Sequence, residues 1–164
     1  MANLEPLIQS IPVAPLKLAS LEGCRTLADQ VNNYLVSFRH ESPTNVGQAD
    51  SLQGYCADSY LLECECPRFG SGEGKGVPKE SVRGCDLFIM VDVTNYSLTY
   101  RVNGYENHMS PDNHYQDLKR IISAADGKAR RINVIMPFLY ESRQHKRTGR
   151  ESLDCALALN ELVR

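Results

Sequence analysis

The run Asp86-Leu87-Phe88-Ile89-Met90-Val91-Asp92-Val93 constrains the fold of this chain more than any other segment. A strand with one wet face alternates apolar and polar residues. A strand apolar at nearly every position suits a sheet covered on both faces, the parallel arrangement. The downstream residues agree. Ser110-Pro111-Asp112 opens a helix, with Ser at the N-cap, Pro in the first turn and an acid near the positive end. Its apolar stripe is Tyr115, Leu118, Ile121, Ile122 and Ala125, and it stops near Gly127. An apolar strand, Ile132-Asn133-Val134-Ile135-Met136, comes next and is expected to be buried. Upstream, Leu16-Lys17-Leu18-Ala19 reads as a short strand, and Leu27, Val31, Tyr34 and Leu35 recur at the spacing of one helical face. Tyr60 to Cys64 reads as another strand, and residues 152–163 as a last helix. Strands alternating with helices predict an α/β fold on a parallel sheet.

The segments between these elements are polar. Residues 1–15 carry Pro6, Pro12 and Pro15 and read as an irregular arm ahead of one domain, 16–164. Residues 38–55, with Pro43, Gly47 and Gly54, read as a long loop, and 94–109 as a second polar excursion. The glycines of Gly70-Ser71-Gly72-Glu73-Gly74-Lys75-Gly76 read as a flexible turn. A Walker loop is excluded, since Gly76 follows the Lys where Ser or Thr is needed. A dinucleotide fingerprint should open a helix, and Pro78 stands there instead.

Charge narrows the partners. With 18 basic and 20 acidic residues the net charge is −2, which leaves no overall footprint for nucleic acid. No apolar run reaches the roughly 18 residues of a membrane span, and the N-terminus lacks a basic region followed by an apolar core. A cytoplasmic protein is expected. Cys85 and Cys155 sit in apolar patterns, as buried residues do, and Cys64-Glu65-Cys66 lacks the second Cys or His pair of a zinc site. No metal ligands are expected.

Function points to the loop after the strand at 132–136. It carries Arg143, His145, Lys146, Arg147 and Arg150, with Gln144 inside the run. A charge run is ordinarily a solvated face. Here it stands beyond the end of a strand, where open α/β sheets bind ligands, and Arg offers planar, bidentate hydrogen bonding to phosphate oxygens. The loop reads as a phosphate site.

Three ordered blocks resemble the ribose-phosphate diphosphokinases (phosphoribosyl pyrophosphate synthetases). Pro137-Phe138-Leu139-Tyr140-Glu141-Ser142-Arg143-Gln144-His145-Lys146-Arg147 is similar to that family's P-Y-x-x-Y-A-R-Q-D segment and the basic residues after it. Glu80-Ser81-Val82-Arg83-Gly84-Cys85-Asp86-Leu87-Phe88-Ile89 resembles its E-S-V-R-G-x-D element, and Phe69 with Glu73 matches its F-x-(N/D)-x-E element. The resemblance spans about residues 65–164, with a weaker continuation at 16–36.

It implies a phosphoribosyltransferase-like N-terminal domain, incomplete at its C-terminal end, in a homo-oligomer. It implies transfer of diphosphate from ATP to ribose 5-phosphate, with magnesium. Arg143 would contact the ATP phosphates and Gln144 would orient the nucleotide. Phe69, with Glu73 and Ser71, would hold the adenine bound by a neighbouring subunit. Ser71 stands where Asn or Asp is usual. Ser81 and Arg83 match positions of a regulatory phosphate site, although Glu151 replaces the family's later Arg. His145 and Thr148 stand where acids are common, and residues 94–109 exceed the family's usual length. The family's Asp-x-His segment, its acidic ribose-phosphate loop and its mobile Lys-x-Arg loop do not occur here. The isolated chain is therefore expected to lack activity and to self-associate through an open sheet edge. A non-catalytic nucleotide- or phosphate-binding regulatory module is the alternative. An Asp-x-His segment encoded in frame beyond Arg164 would favour the enzyme.

Overall fold

In the computed structural model the described residues are 12–41 and 54–163. Four parallel strands make the central sheet: β1 (Leu16–Ser20), β2 (Leu61–Leu62), β5 (Asp86–Met90) and β8 (Arg131–Ile135), in the order β2-β1-β5-β8. Between β1 and β2 lie a 3-10 turn, Glu22–Cys24, and helix α1, Arg25–Glu41. Helix α2, Pro111–Ala125, precedes β8, and α3, Asp154–Leu162, follows it. From β1 the chain goes outward to β2 on one side, while β5 and β8 extend the other. The carboxyl ends of β1 and β5 thus flank the point where strand order reverses, the usual place for a ligand crevice.

The apolar run that predicted a doubly covered strand is one. Leu87, Ile89 and Val91 pack into a cluster with Tyr115, Leu118, Ile121 and Ala125 of α2 and Ala158 of α3. On the alternate positions, Met90 joins Leu18, Cys24 and Ala28, with Phe88 beside them. The first cluster is much the larger. Helix α2 begins as its sequence predicts: the Ser110 hydroxyl accepts from the Asn113 amide at 3.2 Å, with Pro111 in the first turn.

Several expectations are corrected. Helix α1 buries Ala28 and Asn32, while Leu27 and Tyr34 of the expected face are exposed, Tyr34 by 63%. The buried Asn32 takes that position because its carbonyl accepts the Tyr60 amide at 2.8 Å, tying α1 to β2. The helix also continues to Glu41, past residue 38 where a loop is expected. Residues 42–53 of that loop, and 1–11 of the arm, lie outside the described residues.

The expected strand at Tyr60–Cys64 divides in two. β2 pairs with β1, whereas β3 (Cys64–Glu65) pairs antiparallel with β4 (Val77–Pro78) in a separate ladder. β8 is half-buried at the edge of the sheet, with Ile135 partly exposed, where a buried strand was expected. The polar excursion at 94–109 contains a hairpin, β6 (Thr99–Val102) and β7 (Tyr105–His108). Asn103 and Gly104 form its turn with φ of 51° and 82°. Positive φ at both turn residues is what a two-residue hairpin of this twist needs, and Asn-Gly supplies it.

The glycines after Phe69 are not a flexible turn. A Cβ on Gly76 would lie 2.6 Å from the Arg120 carbonyl carbon, and one on Gly74 would strike the Arg68 and Arg120 guanidiniums. These two glycines let the chain lie directly on α2.

Candidate functional site

The basic loop leaves the carboxyl end of β8 and returns to α3. Tyr140 holds its base. The ring stacks on Tyr115 of α2, centroids 4.3 Å apart, and its hydroxyl donates to Asp112 at 2.6 Å. Burial first, and then the hydrogen bond to Asp112, raises the Tyr140 phenol well above its ordinary range. Tyr115 donates in turn to the Ala158 carbonyl at 2.6 Å, and burial pushes its phenol up to about 12. Both phenols stay neutral, so the α2–loop–α3 connection does not titrate near neutral pH.

Glu141 follows with φ of 57°. Apart from Asn103 in the hairpin, it is the one non-glycine residue with positive φ among the described residues. Such a conformation costs roughly 1–2 kcal/mol and concentrates at ligand sites. The Gln144 amide donates to the Glu141 carbonyl at 2.9 Å, and the Gln144 carbonyl accepts from Cys155 of α3 at 3.3 Å. Gln144 is thereby fixed through its backbone, leaving its side-chain amide for other partners.

Beyond Gln144 the loop turns outward. Arg143, His145, Lys146, Arg147 and Arg150 are all exposed. His145 Nδ1 pairs with the Ser142 carbonyl at 3.0 Å. Arg143, Lys146, Arg147 and Arg150 make no ion pair or side-chain hydrogen bond among the described residues. Glu151 is engaged within the loop: it accepts from the Thr148 amide and hydroxyl, and backbone and side-chain bonds of this kind hold its carboxyl at about 2. Arg143, Lys146, Arg147 and Arg150 are thus four exposed cations within eight residues, none of them ion-paired among the described residues.

Phe69, Ser71 and Glu73 form a separate tight turn. The Phe69 amide donates to the Glu73 carbonyl at 2.7 Å, the Gly72 amide to the Phe69 carbonyl at 2.9 Å, and the Ser71 hydroxyl to Glu73 at 2.8 Å. Phe69 projects with 56% of its surface exposed. Its root is rigid. Arg68 makes two bonds to Asp117 of α2, at 2.6 and 2.8 Å, and Arg120 makes a third at 2.6 Å. Asp117 is only 3% exposed. The sequence reasoning missed this anchor, although an acid four residues before Ile121, within the apolar stripe of α2, is a signal for a buried pair. No hydrogen bond or ring contact joins this turn to the basic loop among the described residues.

Ser81 and Arg83 lie elsewhere again. They precede β5, at the opposite end of the sheet from the basic loop, and the Arg83 amide donates to the Ser81 hydroxyl at 3.3 Å in a local turn. Among the described residues no group of three or more His, Cys, Asp or Glu side chains is arranged to hold a metal ion, and no helix is long and apolar enough to cross a membrane.

A four-stranded parallel sheet with helices on both faces and a cationic loop at a strand's carboxyl end defines an α/β protein. The match to known proteins is closer than that. The profile of the N-terminal domain of ribose phosphate pyrophosphokinase covers residues 16–164, and the chain belongs to that family. Ribose-phosphate pyrophosphokinases of Corynebacterium ammoniagenes and Bacillus cereus are each 28% identical over 149 residues, covering 90% of this chain and 36% of theirs. The crystal structure of phosphoribosylpyrophosphate synthetase from Mycobacterium smegmatis superposes with a TM-score of 0.57 at 24% identity, over 90% of this chain and 38% of that one. That likeness is one of fold. The chain spans little more than a third of the length of the curated relatives it matches.

Proposed function

We propose that this chain supplies the ATP-binding part of a ribose-phosphate diphosphokinase. The supporting observation is the unpaired cation group of the basic loop, set at a strand's carboxyl end on a backbone that turns through a positive φ at Glu141. Arg143 takes the nucleotide phosphates, with Lys146, Arg147 and Arg150 adding field, and Gln144 orients the ligand from its fixed backbone. Phe69 reaches the adenine bound by a neighbouring subunit. Its exposed ring on a rigid root suits an element with no use inside its own chain. The Ser71 hydroxyl steers the Glu73 carboxylate, which accepts from the adenine amino group. Diphosphoryl transfer depends on positioning and on charge neutralisation, and these residues contribute both. Magnesium, where present, travels with the nucleotide phosphates, and this reading gives it no ligand from the described residues. Ribose 5-phosphate is held outside this chain.

A second reading has its own observation. His145 and Thr148 stand where the resemblance leads one to expect acids, and Thr148 is spent on Glu151 within the loop. That favours a module that binds nucleotide or phosphate without turning it over.

Titration calorimetry with ATP on the assembled protein tests the site. Arg143→Ala should weaken binding about ten- to a hundredfold, the loss of one charge-assisted contact worth roughly 1.5–3 kcal/mol. Unchanged affinity refutes the assignment. AMP release on adding ribose 5-phosphate separates the two readings, since the regulatory module binds without turnover.

A further inference from the structure

The hairpin β6–β7 falls in the stretch for which the resemblance has no counterpart of this length, and it roofs a cavity of about 400 Å³. That volume is within the range of small-molecule sites. The floor is Cys64 to Arg68, the roof Leu98 to Arg101, and the back wall His114 and Asp117 of α2. Glu22 and Arg25 stand where β1 gives way to α1.

Three observations fix what the cavity would accept. The first is charge. Arg68 is spent on Asp117, which also accepts from Arg120 outside the lining. Glu65 is neutralised by Lys79. Arg25 and Arg101 make no ion pair among the described residues, and Glu22 alone opposes them. With Arg68 spent on Asp117 and Glu65 on Lys79, the uncommitted charge of the lining is Arg25 and Arg101 against Glu22, one positive charge in excess. The second is His114, 2% exposed, whose Nε2 lies 2.7 Å from the Asn95 carbonyl. A carbonyl only accepts, so in the neutral imidazole Nε2 carries the proton and Nδ1 is an acceptor with no partner among the described residues. A buried acceptor of that kind calls for a donor. The third is the thiols. Burial pushes Cys64 up to about 11 and Cys66 to about 12, so both thiols stay protonated near neutral pH and face the cavity as neutral groups.

We infer that this cavity binds a small phosphate monoester bearing free hydroxyls. The phosphate lies against Arg25 and Arg101, a hydroxyl donates to His114 Nδ1, and the carbon skeleton rests on Leu21, Leu98 and Met109. The site is distinct from the basic loop: no residue of 137–150 lines it.

Glycerol 3-phosphate, glucose 6-phosphate, methyl phosphate and inorganic phosphate are titrated into the protein and followed by calorimetry and by amide shifts. The two hydroxylated esters should bind, perturbing Tyr100, Arg101 and His114, and methyl phosphate should bind a few-fold more weakly for want of the hydroxyl. Arg25→Gln and Arg101→Gln, both at exposed positions that leave the core intact, should each weaken binding about ten- to a hundredfold. Arg143→Ala should leave it unchanged, which separates this site from the proposed ATP loop whether or not that loop binds ATP. Failure of both hydroxylated esters to bind at millimolar concentration overturns the inference. So does binding that survives both glutamine variants, or binding lost with Arg143.

Discussion

The turn at Phe69–Glu73 and the loop at 137–150 both present exposed side chains, yet they are built in opposite ways. The turn is short, and its root is clamped by a carboxylate shared between two guanidiniums, with glycines that let it lie on α2. The basic loop is long and attached at its base by Tyr140 and by backbone bonds at Gln144. Beyond Gln144, among the described residues, its side-chain hydrogen bonds are local ones, such as Thr148 with Glu151. The first construction fixes where a side chain points. The second leaves several cations free to adjust, which the proposed function would use around an anion. An aromatic ring must meet a flat base at a set angle, whereas a phosphate group tolerates many approaches as long as charge is supplied.

The contrast can be broken most forcefully at Asp117. Replacing it with Ala leaves Arg68 charged and buried, and loss of one partner from a buried pair costs about 3–5 kcal/mol. Chemical denaturation should show a loss of that size, and a change below 1 kcal/mol, the scale of a surface pair, would mean that the turn is not anchored as described. Gly76→Ala should cost about 1–3 kcal/mol, because the new methyl meets backbone at Arg120 that cannot swing aside. If the glycines merely made a flexible turn, the same change would be neutral or slightly stabilising.

At the exposed tips the prediction reverses. Phe69→Ala should change stability by no more than about 0.5 kcal/mol, the usual range for surface substitutions. It should lower ATP affinity only in samples where subunits assemble, which calorimetry paired with light scattering can establish. An equal loss of affinity in a monomeric sample would contradict service to a neighbour.

The smallest effect is the pH response of the basic loop. Bonds from the Thr148 amide, foremost among several, hold the Glu151 carboxyl at about 2 against an ordinary 4.5. A carboxyl whose folded value is depressed contributes above its ordinary value and loses that contribution as pH falls through the folded one. Loop order should therefore be complete above pH 4.5 and decline toward pH 2. The Thr148 amide resonance, followed by NMR, should move in that window, and a midpoint at the ordinary carboxyl value would show that the bond is absent in solution.

Much of the molecule was legible from the chain alone wherever the signal was local. The N-cap at Ser110, the apolar stripe of α2, the doubly covered β5 and the cations after β8 depend on residues close in sequence, and each is where the sequence put it. The hairpin was equally local, and Asn103-Gly104 announced it, but the polar composition of its flanks hid the alternation. What the sequence could not decide were pairings across distance. Whether Leu27 or Ala28 faces the sheet depends on Asn32 finding the Tyr60 amide, and whether Asp117 is a surface acid or an anchor depends on Arg68, 49 residues away. A periodic pattern fixes that a face is buried, while only the packed structure selects which polar groups may be buried with it, because each must meet a partner that the sequence keeps far off.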